Sequence, residues 1–466
     1  MSGWVFRYLL LYGLSVLVST GNWFARRFGR VDLDQILYHL QQSPGALVKA
    51  DSALVHNGIS NCVLAPLAYA LVLTLALASV GRLQRRYFTW PGQVLAFTLA
   101  SGWAVHADVV MQPPDFSGQD WIATHYAAPA QPVAPAQKRN LVLIYAESLE
   151  TAYGVDPLAG LPAADNLSFS DFRQLPGTGW TIAGMVSSQC GLPLKPLGIL
   201  GSNDLGESVA NFLPRARCLG DVLKDAGYHQ VFLGGAARQF AGKDHFLLQH
   251  GYDEVLGRDE WVAEDPEVLL NEWGLNDDAL FTQALLKLRA LAAAKQPFNL
   301  TVLTIGMHPP RGYLSPTCPA THGDFRDAVD CTALLVRRFV QQAQAEGLLA
   351  GTDVVLTGDH LTMPASDMGR KLQGARRSVY NRILTASALA PNRRVIDHFD
   401  LAPTLLTALG FQLQDGRFGL GCSALGPVRC QSLAEDGNAQ ASLQRHSAFY
   451  DALWAPPVTL AGVPEP

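Results

Sequence analysis

Two threonines, Thr178 and Thr181, stand among closely spaced glycines in the stretch PGTGWTIAGMVSSQCG, residues 176–191. A threonine hydroxyl is a poor nucleophile at neutral pH and needs a base or a metal to ionise it. Groups able to supply either occur in three further stretches, with Glu147 in YAESLE, His308 in TIGMHPP, and Asp359 beside His360 in LTGDHLTM. Glutamate, aspartate and histidine form the mixed oxygen and nitrogen donor set of a divalent metal, with a fourth position left for a hydroxyl. Such a metal lowers the pKa of the hydroxyl and polarises a phosphoryl oxygen. The chemistry implied is displacement at phosphorus by a threonine, leaving a phosphothreonine that a second alcohol relieves. His308, followed by Pro309 and Pro310, is suited to binding phosphoryl oxygens or protonating a leaving oxygen. Taken singly, each residue reads as well as a strand-end cap or a loop histidine; the case is their joint placement.

That placement comes from the elements around them. Short apolar runs alternate with helical ones from Asn140 onward, the pattern of an α/β sheet flanked by helices. The strand candidates are NLVLIYAES, YHQVFLGG, FNLTVLTIG, TDVVLTGDH and RILTASA, with helices expected over Ala279 to Ala294 and Cys331 to Gly347. Glu147, His308 and the pair Asp359 and His360 each follow a strand, and His398 with Asp400 lies beyond RILTASA. In open α/β sheets the working groups gather past the carboxyl ends of the strands.

A chain of 466 residues exceeds one ordinary domain, and a net charge of -5 gives no case for a nucleic-acid partner. Uncharged apolar runs over Tyr8 to Ala25, Asn61 to Gly81 and Phe88 to Val105 predict about three transmembrane helices within a membrane region, 1–110. Arg82, Arg85 and Arg86 then face the cytoplasm by the positive-inside rule, which sets the remainder outside, although Arg26, Arg27 and Arg30 depart from that rule. A Pro/Ala-rich linker is expected over 111–138, a catalytic domain over 139–412, and a tail partly packed on it over 413–466. Cys62 lies in an apolar run. Cys190, Cys218, Cys318, Cys331, Cys422 and Cys430 lack metal-site spacing and are disulfide candidates in an oxidising compartment. Sequence neighbours suggest the pairs 190 with 218, 318 with 331, and 422 with 430, without settling them.

The segments LPGTGWTIAGMVSSQCGLPL, CLGDVLKDAGY, FAGKDHFLLQHGYDEV, GDHLTM and HFDLAPTLLTALG resemble the alkaline phosphatase superfamily. Within it the chain is similar to the membrane-anchored, lipoteichoic acid synthase-like transferases. The resemblance implies a sulfatase-like sandwich: a central, mostly parallel sheet flanked by helices, preceded by a helical membrane region. It implies that Glu147, Asp359, His360 and Thr181 hold one divalent metal, manganese foremost with zinc or magnesium as alternatives, and that Thr181 is the nucleophile, with Thr178 its rival. It further implies that His308 and Trp273 meet the substrate, as does Arg238. The expected reaction moves phosphoglycerol from phosphatidylglycerol to a periplasmic glucan, at a bacterial inner membrane, with the catalytic domain on the periplasmic side. Relatives that transfer phosphoethanolamine, polymerise glycerophosphate or hydrolyse phosphodiesters or sulfates are the rival readings, and a binding protein without chemistry is another. A sulfatase reaction lacks its CxPxR signature, since Cys190 is followed by GLPLK. Similar transferases also carry a second histidine at the position of Met307.

Overall fold

The structure is a computed structural model that describes residues 3–28, 58–80, 120–128, 132–161, 165–195, 211–309, 311–363 and 367–455. A seven-stranded sheet runs in the order β2-β8-β7-β1-β6-β4-β5. Its strands are β1 (Asn140–Ala146), β2 (Asp165–Leu167), β4 (His229–Gly234), β5 (Glu254–Leu256), β6 (Phe298–Leu303), β7 (Thr352–Gly358) and β8 (Asn381–Thr385). Neighbours from β7 to β5 pair in parallel and only β8 runs against its neighbours. The five strands expected from the sequence are β1, β4, β6, β7 and β8, and the short edge strands β2 and β5 add to them. A separate parallel pair joins β3 (Asp171–Arg173) to β9 (Val395–Asp397).

Period-two alternation divides the sheet into two buried faces. Val142, Ile144 and Ala146 face a layer containing the helices Asp277–Ala294 and Phe325–Ala345. Leu141, Leu143 and Tyr145 face the opposite layer, which contains the helices Thr181–Cys190 and Leu401–Ala408. On this second face a buried polar network replaces some apolar contact. Tyr145 Oη lies 2.7 Å from Ser188 Oγ, Tyr252 Oη lies 2.8 Å from Thr301 Oγ1, and Asn299 Nδ2 donates to Gln230 Oε1 at 3.1 Å. Directional bonds of this kind fix a helix in one rotation where apolar packing alone tolerates several.

The helix Thr181–Cys190 starts directly after Trp180 in extended conformation and stops at Gly191, whose φ of 64° is left-handed. Disulfides join Cys190 to Cys218, Cys318 to Cys331 and Cys422 to Cys430, the three pairs suggested by sequence proximity. Closing the 28-residue separation of the first pair contributes about 3–4 kcal/mol of loop-closure entropy. Cys62 is unpaired.

The first of the predicted spans is a helix, Gly3–Phe28, and the second becomes a π-helical turn, Ser60–Leu64, followed by the helix Ala65–Val80, which packs on the first. Among the described residues no helix is long and apolar enough to cross a membrane, so the expected spans are not supported. The third run, Phe88 to Val105, lies outside the described residues.

One further expectation changes. The Pro/Ala-rich segment is not simply a linker, because the helix Trp121–His125 buries Ile122 in the core while Ala127 and Val133 bridge to Gly419 and Gln412. The tail, expected to pack partly on the domain, buries Leu443, Tyr450, Leu453 and Trp454 in the core, and Trp454 packs 4.9 Å from Phe212.

Candidate active site

Strand register brings the acidic residues together. β1 and β7 are adjacent, with Ala146 opposite Gly358, so Glu147 and Asp359 leave the sheet side by side. Ser148, held at a left-handed φ of 54°, turns its N–H to donate to Asp359 Oδ1 at 2.7 Å, and His360 N donates to the same oxygen at 2.9 Å. His360 Nδ1–H donates to Leu361 O at 2.8 Å, which leaves Nε2 facing Glu147 Oε1 at 3.4 Å and Asp359 Oδ2 at 3.5 Å. Thr181, the first residue of its helix, donates from Oγ1 to Glu147 Oε2 at 3.2 Å. Thr178 is differently engaged: its hydroxyl donates to Leu175 O at 2.8 Å and accepts from Leu175 N, which ties the preceding turn.

Ligand atoms of Glu147, Asp359 and His360 all lie within 4.8 Å of one another, and all three side chains are buried. Burial raises Asp359, as does the Glu147 charge beside it, to about 7. Burial would raise Glu147 too, but the His360 charge outweighs it and holds Glu147 down at about 2. Burial would lower His360, yet the two carboxylates hold it up at about 10. The imidazolium thus serves as counter-ion to two carboxylates. Asp359 Oδ2 is buried and accepts no hydrogen bond among the described residues. An unpartnered carboxylate oxygen, a second carboxylate and an imidazole nitrogen turned toward both fit a divalent cation.

Cation binding must expel the protons that Asp359 and His360 hold. Metal affinity is therefore expected to rise with pH through about 7, where Asp359 ionises. Because the folded values of Asp359 and His360 both lie above their ordinary ones, the metal-free protein should lose stability as pH rises from 3.8 to about 7 through Asp359 and again from 6.5 to about 10 through His360. Titrations with manganese at pH 6 and pH 8 would expose the effect, and equal affinities would contradict it.

His308 stands at the edge of this cluster, where its charge contributes to holding Glu147 low. Its ring centroid is 4.0 Å from that of Trp273, and its Nδ1 donates to Pro309 O at 2.8 Å. Trp273 is buried, and its Nε1–H finds no acceptor among the described residues. Phe240 meets Trp273 edge-on at 5.4 Å, and Lys243 Nζ lies 4.9 Å from the centre of the Phe240 ring. Burial pulls Lys243 down to about 8 against the nearby charges of Asp244 and Glu147. Lys243 was assigned no role from the sequence; a lysine set in the apolar context FAGKDHFLL was the available signal.

Arg238 is drawn elsewhere, pairing with Glu260 at 3.1 Å and donating to Val255 O. His398 does not follow β8. It follows β9 and donates from Nε2 to Asp359 O at 2.8 Å, bracing the residue from behind. Asp400 accepts from Asp397 N and Cys422 N, which is a structural role. Met307 is fully buried among the apolar residues of the helical layer.

The sulfatase family matches residues 139–411. The chain belongs to that family. It is 33% identical over 465 residues to phosphoglycerol transferase I of Salmonella arizonae and equally to that of Salmonella typhimurium, in each case covering 93% of this chain and 58% of the relative. It therefore spans 58% of the length of these curated relatives. Among solved structures it is similar to an alkaline phosphatase superfamily protein from Vibrio parahaemolyticus, with TM-score 0.49 and 19% identity over 73% of this chain and 92% of that one. The lipoteichoic acid synthase LtaP from Listeria monocytogenes gives TM-score 0.48 and 16% identity over 64% and 80%.

Proposed function

We propose that the chain transfers phosphoglycerol from phosphatidylglycerol to a glycan hydroxyl, with a periplasmic glucan as the acceptor, through a phosphothreonine at Thr181. The observation that carries this is the Thr181 hydroxyl hydrogen-bonded to Glu147 within the buried Glu147, Asp359 and His360 cluster. The relatives named phosphoglycerol transferase I support the head group. The three disulfides favour an oxidising compartment such as the periplasm.

Glu147, Asp359 and His360 would hold a divalent cation, with manganese the first choice and zinc or magnesium the others. Bound there, it would ease ionisation of the threonine hydroxyl and polarise a phosphoryl oxygen. The chain's own groups do the rest. Glu147 orients Thr181 Oγ1 and accepts its hydrogen bond. A bond forms from that oxygen to phosphorus, its proton passing along the hydrogen bond to Glu147, as the bond from phosphorus to the diacylglycerol oxygen breaks. His308 gives the leaving oxygen its proton, and diacylglycerol departs. The acceptor hydroxyl then attacks the same phosphorus, losing its proton to His308, while the bond from phosphorus to Thr181 Oγ1 breaks and Thr181 takes its proton back from Glu147. Trp273 and Lys243 line the ground beyond His308, where the indole N–H awaits an oxygen acceptor such as a glycerol hydroxyl.

Incubation with head-group-labelled phosphatidylglycerol is expected to yield diacylglycerol and labelled glucan. Asp359→Ala should lose the bound metal and both products together. Label passing only to water would assign a hydrolase, and faster turnover of phosphatidylethanolamine would overturn the head group. Full activity in a protein stripped of metal would end the reading altogether.

A further inference from the structure

One buried carboxylate outside the metal-ligand cluster is turned wholly toward the catalytic loop. Asp277, 1% exposed, is the first residue of the helix Asp277–Ala294. Its Oδ1 accepts from Ile305 N at 2.9 Å, and its Oδ2 accepts from Gly306 N at 3.0 Å and from Thr332 Oγ1 at 3.3 Å. The backbone lies so close that a Cβ on Gly306 would come within 2.4 Å of Oδ2, which admits only glycine there. Two residues further on stands His308, whose N–H donates to Ile305 O at 3.0 Å and closes the turn on the clamped segment.

The preceding residue does the same for the other ring. Asn276 Nδ2 donates to Leu269 O at 3.1 Å, and its Oδ1 accepts from Asn271 Nδ2 at 3.0 Å. Asn271 Oδ1 in turn accepts from Trp273 N at 2.8 Å and Gly274 N at 3.0 Å. Consecutive residues at one helix start thus hold the hairpin that bears Trp273 and the turn that bears His308, and the centres of these rings lie 4.0 Å apart.

We infer that Asp277 is a positioning residue: by clamping the N–H groups of Ile305 and Gly306 it sets His308 against Trp273 beside the reacting phosphate. Burial pushes the Asp277 carboxyl up to about 6, so its ionised form costs the fold stability as pH rises through that value. Stability alone gives no reason to keep a charge there, whereas two directed acceptances on one loop do. The inference rests on the proposed role of His308.

The test is a cycle of Asp277→Asn and His308→Ala, scored by the rate of Thr181 labelling from labelled phosphatidylglycerol and by metal content. Misplacing the imidazole by about 1 Å costs on the order of 10²-fold. Asp277→Asn should therefore slow labelling about 10- to 100-fold, with metal content unchanged and the donor KM moved far less than kcat. In the His308→Ala background the same change should cost less than about 2-fold, because the residue through which it acts is gone. Thr332→Val, which removes one of the three donors, gives a second arm in case Asp277→Asn folds poorly. It should cost a few-fold, and again nothing in the His308→Ala background. Equal losses in both backgrounds, or none in either, would overturn the inference and leave the role of His308 standing. A His308→Ala protein that labels at the normal rate would refute that role first, and the inference with it.

Discussion

Thr181→Ala is expected to abolish labelling of the protein by phosphatidylglycerol, with turnover falling on the order of 10³-fold or more, while Thr178→Ala leaves a labelled protein. The two hydroxyls are only three residues apart, but their partners differ. Thr181 Oγ1 donates to Glu147 Oε2, a member of the buried cluster, and begins a helix whose N–H groups favour added negative charge. Thr178 Oγ1 is committed to the backbone of Leu175 in both directions. Its loss should loosen a turn at a cost of about 1 kcal/mol and slow the reaction modestly. Labelling that vanishes in Thr178→Ala and survives in Thr181→Ala would reverse the assignment. Mass spectrometry of a trapped intermediate reads the outcome directly.

Gly184→Ala should be nearly as damaging, although Gly184 bears no chemistry. A methyl there would lie 2.1 Å from the carbonyl oxygen of Asp359 and 2.9 Å from its carbon. The obstacle is backbone, and His398 braces that carbonyl from another direction at 2.8 Å, so neither side yields cheaply. The helix must withdraw by about 1 Å to restore normal contact, and Thr181 moves with it. Such a shift at a reacting oxygen costs on the order of 10²-fold in rate, and overpacking of this kind costs about 1–3 kcal/mol in stability. Activity and thermal unfolding measured together check both. A variant with normal labelling would show that the contact between Gly184 and Asp359 is not a constraint.

The sequence made the centre of the site legible and its surroundings much less so. Glu147 and Asp359 were visible because buried parallel strands read as unbroken apolar runs, and the first polar residue after each run marks the carboxyl edge of the sheet. Their convergence followed once β1 and β7 proved adjacent, a fact that register supplies and a string does not. Thr181 and Thr178 could be ranked only by resemblance, since a hydroxyl's partner is a matter of three-dimensional direction. His398 was misplaced because β9 is three residues long and pairs outside the main sheet, too short for any periodicity to show. Asp277 carries no reading from the sequence, where the helix is expected to begin only at Ala279, because its clamp is a long-range contact across 28 and 29 residues. The segment before the family match reads as a linker because Pro, Ala and Gln dominate it, and the one after it as a partly packed tail. A few large side chains, Ile122, Tyr450 and Trp454, decide their packing instead.

That last feature bears on how the molecule comes into being. Tyr450 Oη accepts from Lys195 N at 2.8 Å, and Trp454 lies against Phe212, so residues late in the chain hold Lys195, just past the helix Thr181–Cys190, and Phe212, just before Cys218. A polypeptide delivered amino terminus first meets the Cys190 and Cys218 pair long before residue 450 arrives. The thiols can therefore be joined while this side of the core is still open to solvent, and the final helix closes it afterwards like a plug. Synthesis halted just past residue 411 would release the whole family segment with its acidic cluster encoded, yet without the Trp454 contact on Phe212 and the Tyr450 bond to Lys195.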